Sequence, residues 1–192
     1  APFGKPGIRY RSPGLVVKEI GALVRDYGVK NLKIADELFI LNEAHYMGIA
    51  DLIVKNGFDL NIWAYARVDT INFDNLKALK RAGVNWLGLG IESASTVVRD
   101  GADKRMKRKD IAEVVRRIQD AGIRVGANYI FGLPDDTMET MRETLDLALE
   151  LNTEWANFYS AMAYPGSRLY DNAVSDRWPL PYQWHGYSQH SY

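Results

Sequence analysis

Three carboxylates, an arginine and a few glycines sit in this sequence where chemistry is to be expected, each at the end of a short apolar run. Asp36-Glu37 follows the first run and Arg67 closes the second. Glu92-Ser93 closes the third, Gly132-Leu133-Pro134 the fourth, and Tyr164-Pro165-Gly166-Ser167 the fifth. In βα architectures reactive groups gather where strands end and loops begin, and a glycine there lets a ligand approach the backbone. Any one such end also reads as the polar cap of a buried strand. Together the five ends, with three carboxylates, an arginine and two close-approach glycines, favour a ligand site. A metal site needs several convergent oxygens or imidazoles, and none is expected from this chain. Asp36 and Glu37 would point to opposite faces of a strand. His45 falls early in a helix, at an expected surface position, and His185 and His190 have no third ligand at suitable spacing. Ser93, Ser95 and Ser160 have no histidine nearby in sequence, so no Ser-His-Asp arrangement and no catalytic residue is assigned. Gly88, Gly90 and Gly132 mark either ligand approach or tight packing. Lys5, Arg9 and Arg11 form a small basic arm that reads as a solvated terminus. Lys104, Arg105, Lys107, Arg108 and Lys109 form a stronger cluster, suited to a carboxylate or phosphate or simply solvated.

The elements that would position these residues repeat one unit. Apolar, β-rich runs at 31–35, 61–67, 85–92, 124–132 and 155–163 alternate with helical patterns at the spacing of βα units. Such alternation implies a parallel sheet joined by right-handed crossovers. The stretch GVNWLGLGI is apolar on both faces, as suits a strand covered on both sides. Ser12-Pro13 begins a helix with an apolar stripe through Leu15, Val16, Ile20, Leu23, Val24 and Tyr27. Asn72 caps another, Ile111, Val114, Val115 and Ile118 mark the next, and Asp136 with Glu139 has capping-box spacing ahead of the last. Gly28, Gly83 and Gly122 each stop a helix shortly before a strand. Five strands fall short of a complete eight-fold barrel, which takes about 250 residues. The expected fold is α/β, a partial (β/α) barrel of five to six parallel βα units, with an open doubly wound sheet as the alternative. Residues 1–170 form the barrel piece and residues 171–192 an irregular, aromatic-rich segment.

Composition excludes several classes. Acidic and basic residues balance at 24 each, so no global field draws nucleic acid or an anionic membrane. No apolar run approaches the roughly 20 residues of a membrane span, and residues 1–11 hold no hydrophobic signal core, so a cytoplasmic protein is expected. The chain contains no cysteine. That removes disulfides, thiolate zinc sites, a cysteine nucleophile and a cysteine-held iron–sulfur cluster from this chain. Both ends read as boundaries within a longer protein.

Several segments, in order, resemble the radical-SAM superfamily. RYRSPGLVVKEIGALVRDYGVKNLKIADELF resembles the family's helix and second strand, most like the branch that includes cobalamin-binding and methylthiotransferase-like members. ARVDTINFDNLKALKRAGVNWLGLGIESAS is similar to the third and fourth strands, ANYIFGLPDDTMETMRETLDLALELN to the fifth strand and its helix, and FYSAMAYPGSRLY to the sixth. The resemblance covers residues 9–170. It implies an enzyme that cleaves S-adenosylmethionine reductively at a [4Fe–4S] cluster to give a 5′-deoxyadenosyl radical, the cofactor doing the chemistry and the protein positioning it. The cluster is held by a CxxxCxxC loop after the first strand. Strand and loop are both missing here, which reads as a cut upstream of Ala1, so this chain alone is expected to be inactive. Cobalamin is implied only through a domain outside the chain. Carried over by position, Asp36-Glu37 would meet the amino group of S-adenosylmethionine, Arg67 its carboxylate, and Glu92 with Ser93 the ribose or methionine moiety. Residues 128–135 align with a GxIxGxxE-like motif in which Ile130 would pack on adenine and Gly132 admit the backbone. Asn128 replaces the first Gly and Asp135 the last Glu. Residues 162–164, with Tyr164, would add contacts to adenine. The substrate, small or macromolecular, is not indicated, and exposed barrel edges suggest a homo-oligomer. Two other readings stay open: a non-radical barrel enzyme using Asp36, Glu92 and Arg67, and a non-catalytic binding or scaffold module.

Overall fold

The computed structural model describes residues 8–100 and 108–188. Local rules account for most elements. Helix α1 (Pro13–Tyr27) begins at Ser12, whose Oγ accepts from the Leu15 amide, and stops at Gly28 in the left-handed region, φ 65°. Glycine enters that region at little steric cost. Gly83 and Gly122 stop their helices the same way, at φ 93° and 78°. At Gly83 a Cβ would also collide with the Leu60 carbonyl. The succession runs β1 (Asn31–Lys33), α2 (Glu43–Lys55), β2 (Asn61–Arg67), α3 (Leu76–Arg81), β3 (Val84–Glu92), α4 (Thr96–Asp100), α5 (Arg108–Asp120), β4 (Arg124–Phe131), α6 (Met138–Leu151), β5 (Trp155–Ser160) and α7 (Arg168–Ser175).

All five strands are parallel and lie in chain order, β1-β2-β3-β4-β5. With no reversal of strand order, every right-handed crossover returns over the same face. The helices therefore cover one side, and the sheet curls into a half-barrel. The doubly wound alternative, which needs a switch point and helices on both faces, is not what forms.

Alternate residues of the central strands enter the core. Ile62, Ala64 and Ala66 of β2, Leu87, Leu89 and Ile91 of β3, and Val125, Ala127 and Tyr129 of β4 are buried against the helices. Each large apolar side chain buried this way contributes about 1.5–3 kcal/mol. The intervening residues form the concave face. There Trp63 stacks on Trp86 with centroids 5.2 Å apart. A Cβ on Gly126 would come within 2.7 Å of the Trp63 ring, and one on Gly88 within 2.6 Å of Tyr65. Gly88 is thus a packing glycine, making room for an aromatic ring.

Some sequence expectations shift. The first strand ends at Lys33 rather than 35, because the Asp36 carboxylate turns to accept from the Leu38 amide at 2.9 Å, closing an Asx turn. Asp36 and Glu37 therefore lie in a turn and not on opposite faces of a strand. The N-cap of α6 is Thr137, paired with Thr140, rather than Asp136 with Glu139, because the Asp136 carboxylate is held by the Gly132 amide and the Thr140 hydroxyl. Residue 170 falls inside α7, so the irregular stretch begins after Ser175. Lys5, Lys104, Arg105, Lys107 and His190 lie outside the described residues, as do the side chains of Arg108 and Lys109. Among the described residues no helix is long and apolar enough to cross a membrane.

One core residue departs from ideal packing. Tyr129 is fully buried, stacks on Phe158 at 5.0 Å, and its Oη has no hydrogen-bond partner among the described residues. Burial pushes its phenol up to about 12. A neutral phenol favoured by folding keeps its full contribution below the ordinary value near 10 and loses it as pH rises through 12. Tyr129→Phe removes an orphaned hydroxyl, so its unfolding free energy at neutral pH is expected to equal or exceed the wild type's, by up to about 1–3 kcal/mol. Its stability should also fall less steeply between pH 10 and 12. Urea titrations of both proteins across that range check this.

Candidate functional site

A parallel sheet brings every strand's C-terminal end to one rim, and the register aligns the ends. Arg67 lies beside Gly90, Gly90 beside Asn128, Ile130 beside Tyr159, and Phe131 beside Ser160. The structure thus gathers the sequence-derived candidates along a single curved edge.

Each is positioned differently. Asp36 and Glu37 are exposed in the turn after β1. Asp36 also lines a cleft of about 400 Å³ with Arg9, Arg11 and His45. His45 is half-buried rather than a plain surface residue. Its Nε2–H donates to the Arg11 carbonyl at 2.8 Å, and its ring lies 4.8 Å from that of Tyr10. The basic arm is therefore tied down at Arg11, which also pairs with Glu19 at 2.6 Å. Arg67 ends β2 with its guanidinium in a two-point contact to Asp69, at 2.9 and 2.7 Å. A ligand carboxylate at Arg67 would have to share that fork.

The end of β3 carries backbone strain. The pairing of β3 with β4 slips between Gly90 and Glu92, and Glu92 takes φ 68°. For a non-glycine residue this conformation costs about 1–2 kcal/mol, and it persists only where neighbours over-determine it. The next residue supplies that hold. Ser93 is fully buried and its Oγ lies 3.1 Å from Thr144 Oγ1, which also accepts from the Ala94 amide at 3.0 Å and donates to the Thr140 carbonyl at 2.9 Å. Thr140 bonds Asp136, and Asp136 accepts from the Gly132 amide at 2.9 Å. Helix α6 thereby clamps the ends of β3 and β4 together. Ser93 sits inside this clamp.

Gly132 has φ 79°, and a Cβ there would meet nothing closer than Ala161 Cβ at 4.0 Å. It opens onto a cavity of about 420 Å³ walled by residues 132–136, by 161–163, and by Leu169 with residues 178–181. Ile130 lies on the neighbouring concave face, half-buried, and Tyr164 stands exposed beyond the cavity's edge. Most of the wall residues are apolar, but Asp135 and Asp136 stand among them and polar atoms share the lining. Asp135, also at positive φ (68°), is exposed and its carboxylate is unpartnered among the described residues.

The concave face holds residues that motif reasoning passed over. Lys33 Nζ lies 5.2 Å from the Tyr65 ring, and the Tyr65 hydroxyl beside it holds the ammonium above its ordinary value, with Tyr159 adding to the effect. Asn157 donates to Asn128 at 3.0 Å, and Trp155 Nε1 donates to Asn157 at 2.7 Å. The signal was present in the period-two run NIWAYAR, which places Trp63, Tyr65 and Arg67 on one face. The rim thus offers carboxylates for an ammonium, a guanidinium for a carboxylate, and a cavity lined mainly by apolar residues for a flat ring. That set fits S-adenosylmethionine. It does not fit an iron–sulfur cluster, since the chain has no thiolate to offer.

Comparison with known proteins bears on the family and the fold. The family described as the Radical SAM superfamily matches residues 2–148. An uncharacterized methyltransferase of Pyrococcus horikoshii is 31% identical over 188 residues, covering 97% of this chain and 40% of the relative. The anaerobic magnesium-protoporphyrin IX monomethyl ester cyclase of Cereibacter sphaeroides is 29% identical over 166 residues, covering 84% of this chain and 27% of the relative. Among solved structures, a radical S-adenosylmethionine methyltransferase from Kitasatospora setae, with cobalamin and a [4Fe–4S] cluster bound, superposes with TM-score 0.79 at 20% identity, covering 86% of this chain and 32% of that one. The chain therefore spans well under half the length of these proteins.

The clamp has a measurable weight. Thr144→Val keeps the side-chain shape but leaves the Ala94 amide without its buried acceptor. It is expected to cost about 1–3 kcal/mol in urea unfolding. A variant as stable as the wild type would show that the clamp contributes nothing.

Proposed function

This chain belongs to the radical SAM superfamily, and on that footing we propose that it is the part of a radical-SAM enzyme that cradles S-adenosylmethionine along its strand-end rim. The observation that carries the proposal is the co-location of opposite charges and a cavity lined mainly by apolar residues on one edge of the half-barrel. Asp36 and Glu37 would receive the amino group, and Arg67, exchanging with Asp69, the carboxylate. Glu92, held in its strained conformation by the α6 clamp, would face the ribose. Ile130 and Gly132 would border the adenine, which enters the cavity between the ends of β4 and β5, and Tyr164 would close its outer side. Bound beside a reduced [4Fe–4S] cluster, S-adenosylmethionine supplies homolytic chemistry at its 5′ carbon. The chain's own groups do something simpler: they neutralise both ends of the amino acid and exclude water from the nucleoside.

The cluster's ligands would come from cysteines outside this chain, so the isolated chain is proposed to bind the nucleoside without catalysing a reaction. Cobalamin is the second cofactor we propose for the whole protein, held outside this segment. The cobalamin bound in the structurally similar Kitasatospora setae methyltransferase supports that reading.

Two measurements test the proposal together. Calorimetric titration of this chain with S-adenosylhomocysteine is expected to show saturable binding. Anaerobic incubation of the same chain with iron and sulfide should yield no iron–sulfur chromophore, whereas the full-length protein acquires one, together with a corrinoid spectrum. Absence of nucleoside binding would sink the cradle, and a chromophore on this chain would sink the division of labour.

A further inference from the structure

The segment after α7 is not part of any strand-end motif, yet it forms one wall of the nucleoside cavity. We propose that Trp178, carried on the strap Trp178-Pro179-Leu180-Pro181, is an affinity-determining residue for the purine ring. This rests on the reading of that cavity as the adenine site.

Three observations support it. First, the cavity exists only with the strap in place, because residues 132–136 and 161–163 supply the opposite walls. Its volume of about 420 Å³ falls within the range of sites for small ligands. Second, the strap is held rather than loose. The Trp178 amide donates to the Ala173 carbonyl at 2.9 Å, directly after Arg177 at φ 57°. Pro179 and Pro181 each fix one backbone angle. Farther on, Gly186 packs so closely on Pro181 that a Cβ would come within 2.7 Å of the proline's own Cβ. A wall ordered in advance costs little entropy on binding. Third, Trp178 is 51% exposed. A large indole at a cavity mouth, held by its backbone and half bare, is a surface on which a flat heterocycle can stack. Base-on-aromatic contacts of this kind typically weaken binding tenfold or more when truncated to alanine.

The test is titration of the chain with S-adenosylhomocysteine, comparing wild type, Trp178→Ala and Trp178→Phe, with thermal melting as a check on the fold. The half-exposed position should leave melting unchanged. Binding is expected to weaken on the order of tenfold or more in the alanine variant and to stay within about threefold in phenylalanine. Wild-type affinity in Trp178→Ala would overturn the role of Trp178 while leaving the cradle intact. An equal loss in both variants would overturn stacking as its basis. Failure of the wild type to bind would overturn the cradle and this inference with it.

Discussion

Strand order governs the rest of this structure. Five parallel strands laid down in sequence, joined by crossovers of the usual right-handed kind, put the helices on one face and leave the other concave. From that one constraint follow the buried alternate residues facing the helices, the concave face with its aromatic floor, and the rim where every strand ends. The site is not an addition to the fold. It is the edge that a sheet of this topology must have.

A rim of loops would be too soft to hold a ligand in one pose, and the structure answers with side chains that cross between loops. The path from Ser93 through Thr144, Thr140 and Asp136 to Gly132 ties two strand ends to the first turns of one helix. Three of its members are hydroxyl residues, able to give and to receive, so the path can run without a charge at every step. It stabilises a Glu92 conformation that the backbone alone disfavours.

Much of this was legible in the residues, for identifiable reasons. Glycine stops at 28, 83 and 122 could be placed because left-handed backbone has few other occupants. The strand at 61–67 was readable to the residue because its alternation is clean. The edges were less readable. Asp36 ended its strand early by bonding its own neighbour, and Asp136 gave up a cap to serve the glycine four residues before it. In both cases a short polar side chain chose between local partners of similar strength, a choice that spacing does not encode. The strap behind α7 was hidden for another reason: it is rich in aromatic residues and proline, and it is held by contacts within its own segment, Trp178 on the Ala173 carbonyl and Pro181 on Gly186, rather than by a helix or strand period.

The sequential order of the strands also bears on how this chain reaches its shape. Each strand after the first finds its partner one βα unit back, never across the whole molecule. The entropy of closing each loop is therefore modest, and no early strand must wait for a late one. Such a topology can grow by accretion, each unit docking on a template already standing, in the order in which a ribosome would deliver them. The two outer strands keep the same property after assembly: each has a single strand neighbour among the described residues, so the half-barrel remains a surface on which further units could be laid without disturbing those already in place.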